Sequence, residues 1–136
     1  MCGLLLRTAP FSASGMKHTL LFALLLGAMS LCLAHGDWPP KHGGIMSVGG
    51  EITFELVRRS DNVVIYVEDH GEFVATSGAI GSIDVYCDDG TQTVELVAAG
   101  ANTLVANGVE FASGDRIRVR AMLPNSRMLI GRFWVK

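Results

Sequence analysis

From residue 51 onward the chain alternates between apolar and polar positions. Ile52, Phe54 and Leu56 are interleaved with Glu51, Thr53 and Glu55, and Ile117 and Val119 with Arg116, Arg118 and Arg120. Val94 and Leu96 sit between Thr93 and Glu95 in the same way. A period of two marks a half-buried strand, because successive side chains of a strand point to opposite faces. Seven such runs are predicted, at 51–58, 62–68, 82–87, 91–97, 102–106, 115–122 and 127–135. Turn-forming residues separate them: Ser60-Asp61-Asn62, Asp88-Asp89-Gly90, Ala99-Gly100, Asn107-Gly108, Ser113-Gly114 and Pro124-Asn125-Ser126. Asp89-Gly90 between two alternating runs is a strong hairpin signal. No helical period persists past the N-terminal region. The pattern predicts an all-β fold, a small antiparallel β-sandwich of immunoglobulin-like type with about seven strands in about 100 residues. A domain of that size can bury its own core without disulfides. The last run is apolar on both faces, Leu129 and Phe133 on one and Ile130 and Trp134 on the other. This predicts either a central strand or one that packs on something outside the domain.

Upstream the pattern changes. Residues 20–33, LLFALLLGAMSLCL, form an apolar run preceded by Met16-Lys17-His18 and followed by Ala34. A short basic flank, an apolar core and a small-residue exit make a secretory signal peptide. The alternative is a transmembrane anchor, but the run falls short of the roughly 20 residues that span a bilayer. Met16 sets its charge directly against the apolar stretch, so the expected start is Met16, with residues 1–15 an upstream extension. Cleavage after Ala34 makes His35 the first mature residue; cleavage after Ser30 is the alternative and leaves Leu31 first. Leu31 before Cys32 is too large for a lipidation signal. The organisation expected is thus 1–34 as extension and signal peptide, 35–50 as a Gly-, Pro- and His-containing segment, and 51–136 as the β-domain. The prolines and glycines of 35–44 are expected to keep that stretch out of the sheet. No membrane association is expected after cleavage.

Composition narrows the partners. From residue 35 on, thirteen acidic side chains face nine basic ones, which argues against nucleic acid as a partner class. Only Cys87 remains after cleavage, so no internal disulfide can form. It shares a strand face with Ile83 and Val85 and is expected to be buried as a small hydrophobe. The comb Arg116-Arg118-Arg120 suggests an anion-binding surface or, more plainly, a solvated face paired with acids such as Glu95 or Glu110.

No Gly-x-Ser-x-Gly elbow, Cys–His motif, P-loop or dinucleotide fingerprint occurs, and an enzyme is not expected. Metal chemistry is better represented. His35, His42 and Met46 fall within twelve residues of each other. Imidazole and thioether are both copper ligands, and thioether favours Cu(I). At a mature N-terminus His35 adds an α-amine that titrates near neutrality, giving a bidentate start to a Cu(II) site. With histidine first rather than third, the terminus alone cannot complete a square site. His42, Asp37 or His70 would supply further ligands. His42 is flanked by glycine and has little packing to do, which favours ligation. His70, in Glu68-Asp69-His70-Gly71, reads equally as a ligand or as a turn histidine bonded to a carboxylate. Met46 reads as core or as ligand. Trp38 reads as a packing anchor or as a cation–π shield over bound Cu(I).

Pro40-Lys41-His42-Gly43-Gly44, Glu55-Leu56-Val57 and Val64-Ile65-Tyr66-Val67-Glu68-Asp69-His70-Gly71, continuing through Ala79-Ile80-Gly81, Glu95-Leu96 and Ala98-Ala99-Gly100 to Arg132-Phe133, carry a resemblance. The pattern resembles small exported proteobacterial proteins and the N-terminal domain of periplasmic adaptor subunits of heavy-metal efflux pumps of the resistance-nodulation-division type. It covers nearly all of the chain after the signal peptide. It implies a periplasmic β-domain that handles copper, silver, cobalt, zinc or cadmium, with His42 the best-matching position. Relatives of this kind carry a His-rich leader where this chain has only His35, which departs from high-capacity storage. The expectation is a periplasmic metal-binding protein, with a copper ion as ligand, that sequesters metal or passes it to an efflux adaptor or other periplasmic protein. The alternative is a β-sandwich interaction module that docks on an envelope or efflux-pump partner without metal.

Overall fold

The computed structural model describes residues 39–136. The expected signal peptide and its expected cleavage site, with His35, Asp37 and Trp38, lie outside the described residues.

The described residues form an all-β, antiparallel fold. Its strands are β1 (Ile45–Gly49), β2 (Ile52–Arg58), β3 (Asn62–Asp69), β4 (Glu72–Phe73), β5 (Ile80–Cys87), β6 (Gly90–Ala98), β7 (Thr103–Asn107), β8 (Arg116–Met122) and β9 (Met128–Trp134). The seven predicted runs correspond to β2, β3 and β5 to β9, with every end within two residues. Two strands escaped the pattern. β1 lies in the 35–50 segment, beyond the stretch ending at Gly44 that is expected to stay out of the sheet, and has no predicted run. β4 has two residues, too few to show a period.

The sheet is continuous, in the order β1-β2-β3-β7-β6-β5-β8-β9, with β4 added to β3. Hairpins join β5 to β6 and β6 to β7, and β8 returns beside β5, which is a Greek key. The sheet curls until β9 lies alongside β1. There the Arg132 amide donates to the Ser47 hydroxyl at 2.9 Å, and a Cβ on Gly49 would overlap the Ile130 carbonyl oxygen. Glycine is needed at 49 because the two strand ends meet there without room for a side chain. The result is a nearly closed barrel. β9 is therefore the last strand of the hydrogen-bonded path and not a central one. Its outward Trp134 is 64% exposed.

Closure concentrates the inward face of each strand on one core. Ile52, Phe54 and Leu56 of β2 meet Val63, Ile65 and Val67 of β3, Ile83 and Val85 of β5, Ile117 and Val119 of β8, and Phe133 of β9. The ring of Phe54 lies over Gly131, where a Cβ would come within 3.0 Å of it. The β3–β5 crossover and the β6–β7 loop each bury a polar side chain that is hydrogen-bonded. Thr76 donates its hydroxyl to the Thr103 carbonyl at 2.9 Å, and Asn102 donates its side-chain amide to the Val67 carbonyl at 3.2 Å. Burial without those partners would cost on the order of 1–3 kcal/mol per group.

Candidate functional site

The segment Pro39–Gly44 is laid as a strap over the outer wall of β1, β2 and β3. Glu55 is the reason. It occupies an outward position of β2, yet it is only 4% exposed. Its carboxylate accepts the backbone amide of Lys41 at 3.0 Å, of His42 at 2.7 Å and of Gly44 at 2.9 Å. Three amides converging on one carboxylate compensate the desolvation that a buried charge otherwise suffers. The strap must come close to do this, and a Cβ on Gly44 would overlap the Leu56 carbonyl oxygen. The Lys41 ammonium reaches past Glu55 to both carboxylate oxygens of Glu68, at 2.9 and 2.8 Å. Lys41 is half exposed, so solvent screening limits that pair to about 1 kcal/mol or less.

His42 lies on Tyr66, with ring centroids 3.7 Å apart and planes inclined by 13°. Aromatic pairs contribute roughly 0.5–1.5 kcal/mol beyond the area they bury. The residue is nevertheless exposed, and no hydrogen bond of its ring nitrogens is made among the described residues. Glu55 pairs with Tyr66 on one side and with Met46 on the other in the strand register. Met46 is therefore on the same wall as His42, two strand spacings from Tyr66, or about 10 Å. It lines the space left under the strap with Pro39, Lys41 and Thr53, a volume of about 10 Å³. That is room for about one water molecule, so the strap is packed down.

His70 is elsewhere. Asp69 pairs with Glu72, leaving His70 and Gly71 as a two-residue hairpin turn with φ of 51° and 87°. Two left-handed residues in succession make a type I′ turn, whose twist matches that of the strands it joins. The His70 Nδ1 is 2.6 Å from Asp69 Oδ1, and Arg127 donates to the other oxygen of Asp69 at 3.0 Å. The His70 hydrogen bond, the Arg127 hydrogen bond and their charges hold the Asp69 carboxyl below the ordinary aspartate range. Asp69 is three residues along β3 from Tyr66, about 10 Å, so His42 and His70 are not brought together. Among the described residues no group of three or more His, Cys, Asp and Glu side chains is clustered to hold a metal ion. Of the candidate ligands the fold thus brings His42 and Met46 to one wall, puts His70 on a turn, and leaves His35 undescribed.

The residue types of Glu55, Tyr66 and Lys41 do not mark them as site residues, although all three fall in the quoted motifs. A carboxylate at an outward strand position gives no sign that a neighbouring segment will cover it. The reading of His42 as having little packing to do is also corrected, since Tyr66 supplies a full stacking face.

Two further expectations change. Cys87 is exposed, because β5 ends at it and the inward direction there opens past the barrel end. Its thiol is 3.6 Å from Asp115. Partial desolvation, Asp115 and the neighbouring Asp89 and Asp88 charges push the thiol pKa up, which disfavours the reactive thiolate. Two members of the arginine comb, Arg118 and Arg120, are paired, but with Asp84 instead of Glu95 or Glu110. Arg118 and Arg120 each donate to Asp84 at 3.1 Å. Burial opposes ionisation of Asp84, while the Thr93 hydroxyl, the Arg118 hydrogen bond and both guanidinium charges overcome it and hold the carboxyl below its ordinary range.

No protein-family model, curated protein or solved structure matches the chain.

Proposed function

We infer that the chain is an exported periplasmic metal-binding protein, with copper as its metal, that sequesters the ion or passes it to an efflux system. The observation that carries this reading is the way His42 is held. Its backbone amide is fixed by Glu55 and one ring face by Tyr66, while the ring edge stays open. A metal approaches imidazole in the ring plane through a nitrogen lone pair, so the stack restricts the ring without blocking coordination. Fixing the ring in advance lowers the ordering cost of ligation.

His42 would serve as the anchored ligand and His35, seven residues upstream, as its partner. With cleavage after Ala34 the α-amine of His35 adds a second donor. Met46, on the same wall, is the candidate thioether for Cu(I). His70, oriented by Asp69 as histidine ligands commonly are by carboxylates, is a candidate outside that group. The resemblance to efflux adaptor domains supports the compartment and the efflux partner. An immunoglobulin-like sandwich is the finer reading of the fold that goes with it, with the two halves of the curled sheet taken as packed layers.

The test begins with mass spectrometry of the exported protein's N-terminus, followed by Cu(II) and Cu(I) titration of the protein and of its His35→Ala and His42→Ala variants. Weaker binding in both variants is the expected result. Unchanged affinity in both removes these residues from the site.

A further inference from the structure

The outer face of β5, β8 and β9 concentrates positive charge in a chain whose formal net charge is −2. Register places Arg118 directly opposite Arg132, and Arg116 between Tyr86 and Trp134. Like charges directly opposite one another destabilise a sheet, so folding alone gives no reason for the Arg118–Arg132 pair. One carboxylate, Asp84, is set among these arginines. It is 2% exposed and holds Arg118 and Arg120 from beneath. A guanidinium has five donors, so both arginines keep outward N–H groups. Among the described residues Arg116 and Arg132 make no ion pair. Tyr86, Arg116, Arg132 and Trp134 line a shallow groove of about 340 Å³.

We propose that this face is a docking surface for an extended acidic segment of a partner protein, laid along β8 with carboxylates at alternate positions. Arg116, Arg118 and Arg120 recur every second residue, about 6.8 Å apart at the strand rise. An extended peptide repeats its same-side groups at that interval, so the combs match. All four cations are arginine, whose planar fork suits bidentate carboxylate recognition. Trp134 supplies the aromatic anchor typical of interface centres. Three strands side by side give a face only about 10 Å wide, which fits a single peptide better than a globular partner. A membrane surface is less favoured, because the negative chain as a whole is repelled by anionic lipid. The inference goes beyond copper binding and does not depend on it.

The test uses fluorescence anisotropy of a labelled peptide of alternating Glu and Thr, in the presence of chelator, with an alternating Lys and Thr peptide as control. Anionic phosphatidylglycerol vesicles form a separate arm. The expected result is binding of the Glu peptide alone, weakening as salt rises, and at least about tenfold weaker in Arg116→Glu/Arg132→Glu. Trp134→Ala weakens binding while the thermal midpoint stays near wild type. Equal affinity in the double variant, no binding at low salt, or binding to vesicles but not to the peptide each overturns the proposal. Circular dichroism confirms that the double variant is folded; Arg132→Gln replaces it if it is not.

Discussion

Replacing Glu55 with alanine separates the strap from the barrel. Three hydrogen bonds to a carboxylate contribute about 1.5–3 kcal/mol each. Ordering the six residues from Pro39 to Gly44 costs about 1–2 kcal/mol apiece. The bonds, about 4.5–9 kcal/mol together, fall a little short of an ordering cost of about 6–12 kcal/mol, and the His42–Tyr66 stack and the Lys41–Glu68 pair make up the difference, so the strap is only marginally held. Removal of Glu55 therefore releases the strap and leaves the barrel folded, with a loss of global stability of about 1–3 kcal/mol. At about 4–8 °C per kcal/mol for a domain of this size, Tm falls by roughly 4–24 °C. Hydrogen exchange is the sharper assay. The amides of Lys41, His42 and Gly44 should lose protection at least about tenfold, the equivalent of 1.4 kcal/mol, while Ile65 and Val67 of β3 stay protected. Glu55→Gln keeps one oxygen that can accept from His42 and Gly44, presents an NH₂ to the Lys41 amide, and should fall between. Unchanged protection at His42 and Gly44 in Glu55→Ala would refute the role given to this carboxylate.

Other outcomes follow from the same structure. Asp84 has a depressed pKa, so the stability it contributes is fully present above the ordinary aspartate value of about 3.9 and is lost as pH falls below it. Chemical denaturation of Asp84→Asn should show less loss between pH 5 and pH 2 than the wild type does. Gly49→Ala should open the β1–β9 seam at a cost of about 1–3 kcal/mol, read as a lower urea midpoint, whereas an alanine at exposed Gly50 meets no clash and bears only the strain of its left-handed φ of 69°. His70→Asn should leave Tm within a few degrees because asparagine tolerates the left-handed conformation, while His70→Val, β-branched, should lower it. Iodoacetamide should modify Cys87 more slowly at pH 7.5 than it modifies an unperturbed thiol, and the rate should rise in Asp115→Asn.

Much of the fold was legible because its strands are half-buried and therefore alternate. Ile52-Phe54-Leu56 and Ile117-Val119 gave their inward faces directly, and Asp88-Asp89-Gly90 marked its turn. β1 was not legible: Ile45-Met46-Ser47-Val48-Gly49 puts a serine and a glycine on the inward side, since it closes against β9 instead of filling the core. Curling is likewise invisible in a period of two, which is the same for a sandwich and for a barrel. At the site, the residue types of His42, His70 and Met46 drew notice, but their separation did not show, because it is set by which strand each one borders. Cys87 misled for a related reason. Its parity pointed inward, and parity says nothing about where a barrel ends.

The claim that His42 is an anchored copper ligand is tested most directly by the imidazole nitrogens themselves. Histidine side-chain ¹H–¹⁵N spectra of the exported protein, recorded as Cu(I) is added anaerobically, resolve each ring. The account predicts that a His42 ring nitrogen shifts with saturation near stoichiometric metal, while Tyr66 ring signals keep their stacked shifts. His42 signals that stay in place at saturating copper would contradict it.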